Sequence, residues 1–398
     1  MVFIVANTST MNTLKTKLGI IGTVGVPAKY GGFETLAHQL VLQVSKKFDT
    51  TVYNSAKSYS PEERVDEWEG AKIKYIPLKA NGLQSIFYDG ISMLHAALFC
   101  DVLLILGVSG CIFLPIIKFF FNVKVIINVD GLEWRRAKWN GIAKQFLIIS
   151  EKIAIRYADE LVADNAAIQK YLYDQHHISS QLIEYGADHN TRISMEHLES
   201  FPYDFMKNNY AFKVARIEPE NNLDMILNAF AESKKLPLVI VGNWDHSDYG
   251  RQLLKQYKNH PNIHLLAPIY EPTQLNLLRS NARVYVHGHS AGGTNPSLVE
   301  AMYLGLPILS FDVIYNRVTT EHKATYFQNE NDLCGLLENL IPIQLFQNAQ
   351  LMKSIADRRY CWDIIAHKYS QLVTGKVTST NPTFQLNFPR QLQQALQY

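Results

Sequence analysis

Residues 282–312, ARVYVHGHSAGGTNPSLVEAMYLGLPILSFD, decide the fold class. A short apolar run, a glycine-rich loop, an amphipathic segment and a second apolar run read as strand, loop, helix and strand. Such alternation predicts a parallel sheet covered by helices on both faces. Within the loop, Pro296 suits the first position of a helix and Asn295 its N-cap. The unpaired N–H groups of that helix start, beside glycines that let the backbone come close, favour an anion. A loop capped for stability alone reads the same residues.

The alternation extends outward through the chain. LGIIGTVG (18–25) reads as a buried strand entering a glycine turn, and GGFETLAHQLVLQVSKKF (31–48) as an amphipathic helix. TTVYNS, KIKYIPL, DVLLILGV, KVIINVDG and ELVADN are further strands. After a polar, irregular stretch from Asp188 to Tyr210 the pattern restarts with AFKVARI, LDMILNAFAES, PLVIVGN and NIHLLAP. The prediction is an α/β chain of two doubly wound Rossmann-like domains, 1–190 and 191–375. They face a cleft at the carboxyl ends of their strands. The helix holding Trp362, Ile365 and Tyr369 is expected to close the second core. Residues 376–398, rich in Gln, Asn and Thr, form a polar tail.

Composition agrees with two domains in 398 residues. A formal charge of +2 argues against a nucleic-acid binder working by bulk electrostatics. The four cysteines are scattered without C-x-x-C spacing, which suits buried thiols in a reducing compartment and offers no zinc site. The first apolar run has no basic residue before it, so no signal peptide is expected. The longest uncharged run, Val102 to Ile117, is shorter than a membrane span and is broken by Gly107, Gly110 and Pro115. The cytoplasm is the expected location.

Several loops after strands offer chemistry. Gly31 and Gly32 directly precede a helix, where backbone amides meet a phosphate or sugar, or simply make a tight turn. The spacing is not G-x-G-x-x-G and TTVYNS ends without an acid, which argues against a nicotinamide dehydrogenase. In NVDGLEWRRAKW (128–139), Asp130 is placed to orient or deprotonate an acceptor hydroxyl, or is a turn aspartate before Gly131. Trp134, Arg135, Arg136, Lys138 and Trp139 mix aromatic and basic groups. Between Lys118 and Arg156 eight basic residues face three acids. That mixture suits an anionic lipid surface or a pyrophosphate acceptor, or is a solvated helix face. Arg216 ends the strand of KVARIEPENN, where a guanidinium grips a diphosphate or pairs with Glu218 or Glu220. Asn222 and Asn243 follow strands in the same domain and are candidate donor contacts.

Taken in order, GTVGVPAKYGGFETLAHQLV, ILGVSGCIFLP, NVDGLEWRRAKW, ARIEPENN and GHSAGGTNPSLVEAM resemble glycosyltransferases of the GT-B fold. More narrowly, they resemble the retaining family-4 enzymes of bacterial polysaccharide assembly, in the branch with capsule and O-antigen rhamnosyltransferases. The resemblance covers residues 16–372. It implies a nucleotide diphosphate sugar held mainly by the second domain, with Glu300 on the ribose hydroxyls. It places the amides of Gly293, Thr294 and Asn295 on the diphosphate or donor sugar, Arg216 on the diphosphate and Gly32 nearby. Asp130 falls beside the transferred sugar, where the family often has histidine.

Two positions depart from the family pattern. Gly292 stands where a glutamate is usual, eight residues before Glu300, and Asn221 or Asn222 where a lysine is usual. The missing glutamate drops a contact to sugar hydroxyls, which reads as changed donor specificity or as lost catalysis. The implied activity is transfer of a hexose or deoxyhexose, with L-rhamnose from dTDP-rhamnose in view, onto a lipid-linked oligosaccharide. Retention would follow from front-face attack. No D-x-D ends a strand, so neither a metal nor another cofactor is expected. Peripheral contact with the inner face of the cell membrane is also expected. A catalytically inactive transferase-like protein in a biosynthetic complex and a GT-B sugar-nucleotide epimerase are the alternatives.

Overall fold

In VLLIL (102–106) all five side chains are buried, so this strand needs helices on both faces of its sheet. The computed structural model describes residues 15–29, 31–135, 141–195, 203–207 and 209–376. Its first sheet holds β1 (Lys17–Ile21), β2 (Asp49–Ser55), β3 (Glu67–Trp68), β4 (Ala71–Ile76), β5 (Val102–Leu106), β6 (Lys124–Asn128), β7 (Glu160–Ala163) and β8 (Gln181–Leu182). The order is β3-β4-β2-β1-β5-β6-β7-β8, and every pairing except the β3/β4 edge is parallel.

The second sheet holds β9 (Ala211–Val214), β10 (Leu238–Val241), β11 (Ile263–Leu266), β12 (Val284–His287), β13 (Ile308–Phe311) and β14 (Thr325–Phe327). Its order is β11-β10-β9-β12-β13-β14, all parallel. The strand runs read from the sequence therefore become two doubly wound sheets. Two-residue β3 and β8 and three-residue β14 are too short to leave a periodic signal.

One face of the first sheet is covered by helices Gln84–Phe99, Leu114–Phe120, Gly141–Tyr157 and Ala166–His176. The other is covered by Gly32–Val44 and by the last helix, Trp362–Thr374. This corrects the expectation that the last helix closes the second core. Lys124 Nζ donates to Leu372 O at 2.6 Å, Asn128 Nδ2 to Tyr369 Oη at 3.0 Å, and Lys368 Nζ to Leu182 O at 3.0 Å. An amphipathic pattern states that one helix face is buried, not which sheet buries it. The polar tail beyond Lys376 and the N-terminal run before Lys15 lie outside the described residues.

Candidate functional site

The loop that opened the sequence reading caps its helix as the residue types require. Asn295 Oδ1 accepts from Ser297 N at 3.1 Å, and Pro296 begins the helix Pro296–Tyr303. Thr294, however, is turned toward the other domain. Its amide donates to Asp164 Oδ2 at 3.1 Å and its hydroxyl to the Asp164 carbonyl, while Asn165 Nδ2 reaches Thr294 Oγ1 at 3.3 Å. The expectation that the Thr294 amide meets the donor is corrected, because that N–H is already bound across the seam. Gly293 and Asn295 flank it.

Asp164 directly follows β7 and was read only as the end of a strand. It is buried, and its Oδ1 has no hydrogen-bond partner among the described residues. Burial, reinforced by nearby Asp130, raises its pKa well above the ordinary value despite the Thr294 amide. The folded chain thus keeps a proton that the unfolded chain releases at lower pH. Asp164 favours folding fully below its unfolded pKa and ceases to as pH rises through its folded pKa. Asp164→Asn cannot ionise, so wild type should lose stability relative to this variant as pH is raised from about 5 to about 8. Parallel thermal-unfolding profiles for the two proteins would contradict this.

A second contact across the seam concerns the position where the family resemblance leads one to look for a glutamate. A Cβ on Gly292 would lie 2.3 Å from Gly131 O, and a Cβ on Gly131 would lie 2.4 Å from Gly292 O. The two backbones touch, and neither site has room for a side chain. Asp130 precedes this contact in the left-handed region, at φ 62°, with its amide donating to Asn128 Oδ1 at 3.1 Å.

In the first domain the helix Gly32–Val44 begins after Gly31, at φ 124°, with no side-chain cap at that position. Glu34, in the first turn of that helix, turns back to the loop after β1: its Oε1 accepts from Val24 N at 2.9 Å and from Thr23 Oγ1 at 3.4 Å. A Cβ on Gly31 would run into this carboxylate. The chain's own Glu34 carboxylate therefore stands beside Gly31, at the start of the helix. Burial raises the Glu34 pKa, and Arg216 across the cleft is among the groups that oppose the rise. Gly32 itself lies against Pro296 and Tyr185.

Arg216 is exposed. Asn221 Nδ2 donates to Arg216 O at 2.9 Å and shapes the turn. Asn222, at φ 49°, donates from Nδ2 to Gly288 O at 2.7 Å, so its side chain braces the loop after β12. Asn243 is exposed, whereas Trp244 is buried and donates to Leu266 O at 2.9 Å. Lys213, three residues before Arg216, does not replace the missing lysine. It is buried within β9, and burial pushes its pKa down to about 7.

Glu300 has partners that the sequence did not reveal. Arg279 Nη2 lies 2.7 Å from Oε2 and His189 Nε2 3.5 Å from Oε1, with 14% of the glutamate side chain exposed. Arg279 is itself buried and also donates to Asn190 Oδ1 at 3.1 Å. Burial works to raise the Glu300 pKa, but the Arg279 guanidinium and the His189 ring outweigh it and hold it below the ordinary value. Trp362 Nε1 donates to His189 Nδ1 at 2.9 Å, and Asn190 Nδ2 lies 3.1 Å from its Nε2.

The aromatic and basic stretch after Asp130 is turned inward where it is described. Trp134 Nε1 donates to Glu151 Oε2 at 2.9 Å, and the Arg135 guanidinium lies over the Trp134 and Tyr171 rings at 5.1 and 5.3 Å. These two residues do not form the exposed lipid-facing patch expected of them. Arg136, Lys138 and Trp139 lie outside the described residues.

Residues 15–188 match the family described as a domain of unknown function (DUF1972), and residues 198–333 match glycosyl transferases group 1. No curated protein matches the chain. Among solved structures it is similar to sucrose-phosphate synthase from Thermosynechococcus elongatus, at 15% identity and TM-score 0.75, covering 91% of this chain and 99% of that one. It is also similar to Anabaena HepE in complex with UDP-glucose, at 14% identity and TM-score 0.67, covering 91% and 100%. The catalytic domain of starch synthase IV from Arabidopsis thaliana, bound to ADP and acarbose, matches at 12% identity and TM-score 0.66, covering 91% and 99%. The chain therefore has the GT-B fold of these structures, and the match to glycosyl transferases group 1 falls within its second sheet domain.

Proposed function

We propose that the chain transfers a hexose or deoxyhexose, with retention, from a nucleotide diphosphate sugar to a lipid-linked oligosaccharide in cell-surface polysaccharide synthesis. One observation carries the reading: the strand ends of both sheets converge on a single seam. Around it stand exposed Arg216, the helix start at Asn295 and the partly open carboxylate of Glu300. Among the described residues each Glu300 oxygen has one ion-pair partner, and each keeps a lone pair for a ribose hydroxyl. The departing diphosphate gains positive charge from Arg216 and from the Gly293 and Asn295 amides at the helix start. Asp130 orients the acceptor side. Front-face attack, with the leaving phosphate taking the acceptor proton, needs neither a protein nucleophile nor a metal.

The inactive-protein reading drew on Gly292, and the contact with Gly131 gives that glycine a packing reason instead. A deoxy sugar agrees with the missing glutamate, so dTDP-rhamnose is the first donor to try. Calorimetric titration with dTDP-rhamnose, UDP-glucose, UDP-galactose and GDP-mannose tests the assignment. Glu300→Gln is the informative variant because it keeps an acceptor for Arg279. One donor should bind wild type and bind the variant about tenfold to a hundredfold more weakly. No binding to wild type would sink the reading, and equal binding would remove Glu300 from the donor site.

A further inference from the structure

We propose that Tyr185 selects the transferred sugar, its hydroxyl hydrogen-bonding one hydroxyl group of the sugar ring in the seam between the domains. Tyr185 lies just past β8, on the segment that leads from the first domain into the second. Its backbone is held on both sides. Ile183 N donates to Ala163 O at 3.0 Å and Ala187 N to Tyr360 O at 2.7 Å, the Glu184 carboxylate pairs with Arg359, and Gly186 lies against the Trp362 ring. The ring is therefore positioned before any ligand arrives.

The hydroxyl is unusual for this chain. Tyr88 donates to Thr23 O at 2.8 Å, Tyr210 to Leu278 O at 2.6 Å and Tyr360 to Thr319 O at 2.6 Å, so these buried phenols are satisfied internally. Tyr185 is 4% exposed, yet among the described residues its hydroxyl has no hydrogen-bond partner. A buried hydroxyl that bonds nothing is destabilising, and phenylalanine would fill the same space without that cost. Its place explains its retention. A Cβ on Gly32 would lie 3.6 Å from Tyr185 Oη and 3.5 Å from Pro296 Cγ, so the phenol stands where the helix starts of the two domains meet.

The surroundings decide what it meets. Burial, then the carboxyl groups of Asp164 and Asp130, raise the phenol pKa well above its ordinary value, with Tyr369 and Glu34 adding to the rise. The group stays protonated and can both donate and accept. A phosphate would bring a further negative charge toward Asp164, Asp130 and Glu34. A sugar hydroxyl is neutral and can accept from the phenol while bonding a carboxyl oxygen. Asp164 Oδ1, buried and without a partner among the described residues, is such an oxygen, at the end of the strand paired with β8. A site that bonds a substrate hydroxyl this way rejects the analogue lacking it, because its own polar groups are then left unpaired.

This role rests on the transferase reading, and Tyr185→Phe, which removes only the hydroxyl, tests it. The full chain is titrated calorimetrically with dTDP-rhamnose, UDP-glucose, UDP-galactose and GDP-mannose, and with dTDP, UDP and GDP alone. The donor that binds wild type should bind the variant about threefold to tenfold more weakly, while the matching nucleoside diphosphate binds both proteins alike. Thermal unfolding of the variant should be unchanged or slightly higher, since the free chain loses no bond. An equal loss for the nucleoside diphosphate would put the phenol on the phosphates, and equal donor binding by both proteins would leave it without a ligand. Either result overturns the role of Tyr185 and leaves the transferase reading standing. Wild type that binds none of the donors would sink both.

Discussion

Gly292→Glu, which restores the residue usual in the resembling family, is expected to abolish transfer. The new Cβ would stand 2.3 Å from Gly131 O, where no real Cβ fits. Both neighbours are backbone, so no side chain can swing aside. Relief requires the domains to separate, which would pull Thr294 away from Asp164 and move Gly293 relative to Asp130. A displacement of about 1 Å in a reacting constellation costs about 10²-fold in rate, and a larger loss is expected here. Gly131→Ala should give the same defect from the other side of the seam. The checks are kcat/KM with the identified donor and small-angle scattering, which should show a more open particle for both variants. Wild-type turnover or wild-type dimensions in Gly292→Glu would refute the contact.

Arg279→Ala is expected to cost about 3–5 kcal/mol of folding stability in the second domain. The guanidinium is buried and holds Glu300, whose helix shares a core with Tyr285 and Ile308 and packs against the helix Pro342–Arg359. Removing it leaves the carboxylate buried without its main counter-charge. The Glu300 pKa is lowered in the folded chain. Its ionised form therefore contributes above the unfolded pKa, and the contribution is lost as pH falls through the folded pKa. The penalty of Arg279→Ala should shrink on acidification for the same reason. Arg279→Met combined with Glu300→Gln should recover much of the stability, since neither charge then remains to be desolvated. Urea unfolding followed at several pH values measures all three. A loss below about 1 kcal/mol for Arg279→Ala would show that the pair is no buried anchor.

The short-range rules were legible in the residues themselves. Strand runs such as VLLIL, the Asn295–Pro296 helix start and the strand-end position of Arg216 depend on neighbours within a few residues, and each is found where its residue types require. The fold class followed from the alternation of such runs. The residues missed were those whose meaning lies in a distant partner. Asp164 became visible only when Thr294, 130 residues away, was brought against it. Arg279 and His189 converge on Glu300 from separate elements. Trp134 and Arg135 carry the composition of a surface patch, yet Glu151, Tyr171 and Tyr315 draw them inward.

The sequence by itself determined two parallel sheets, the loops that close on one another and the chemistry available in each loop, because capping, period and turn formation are local. Only the tertiary structure decided which sheet the last helix covers, why Gly292 carries no side chain and which polar groups at the seam already have partners. Those outcomes depend on two domains meeting edge to edge, and the free energy of a buried amide or carboxylate is set by the atom opposite it, however far along the chain that atom lies.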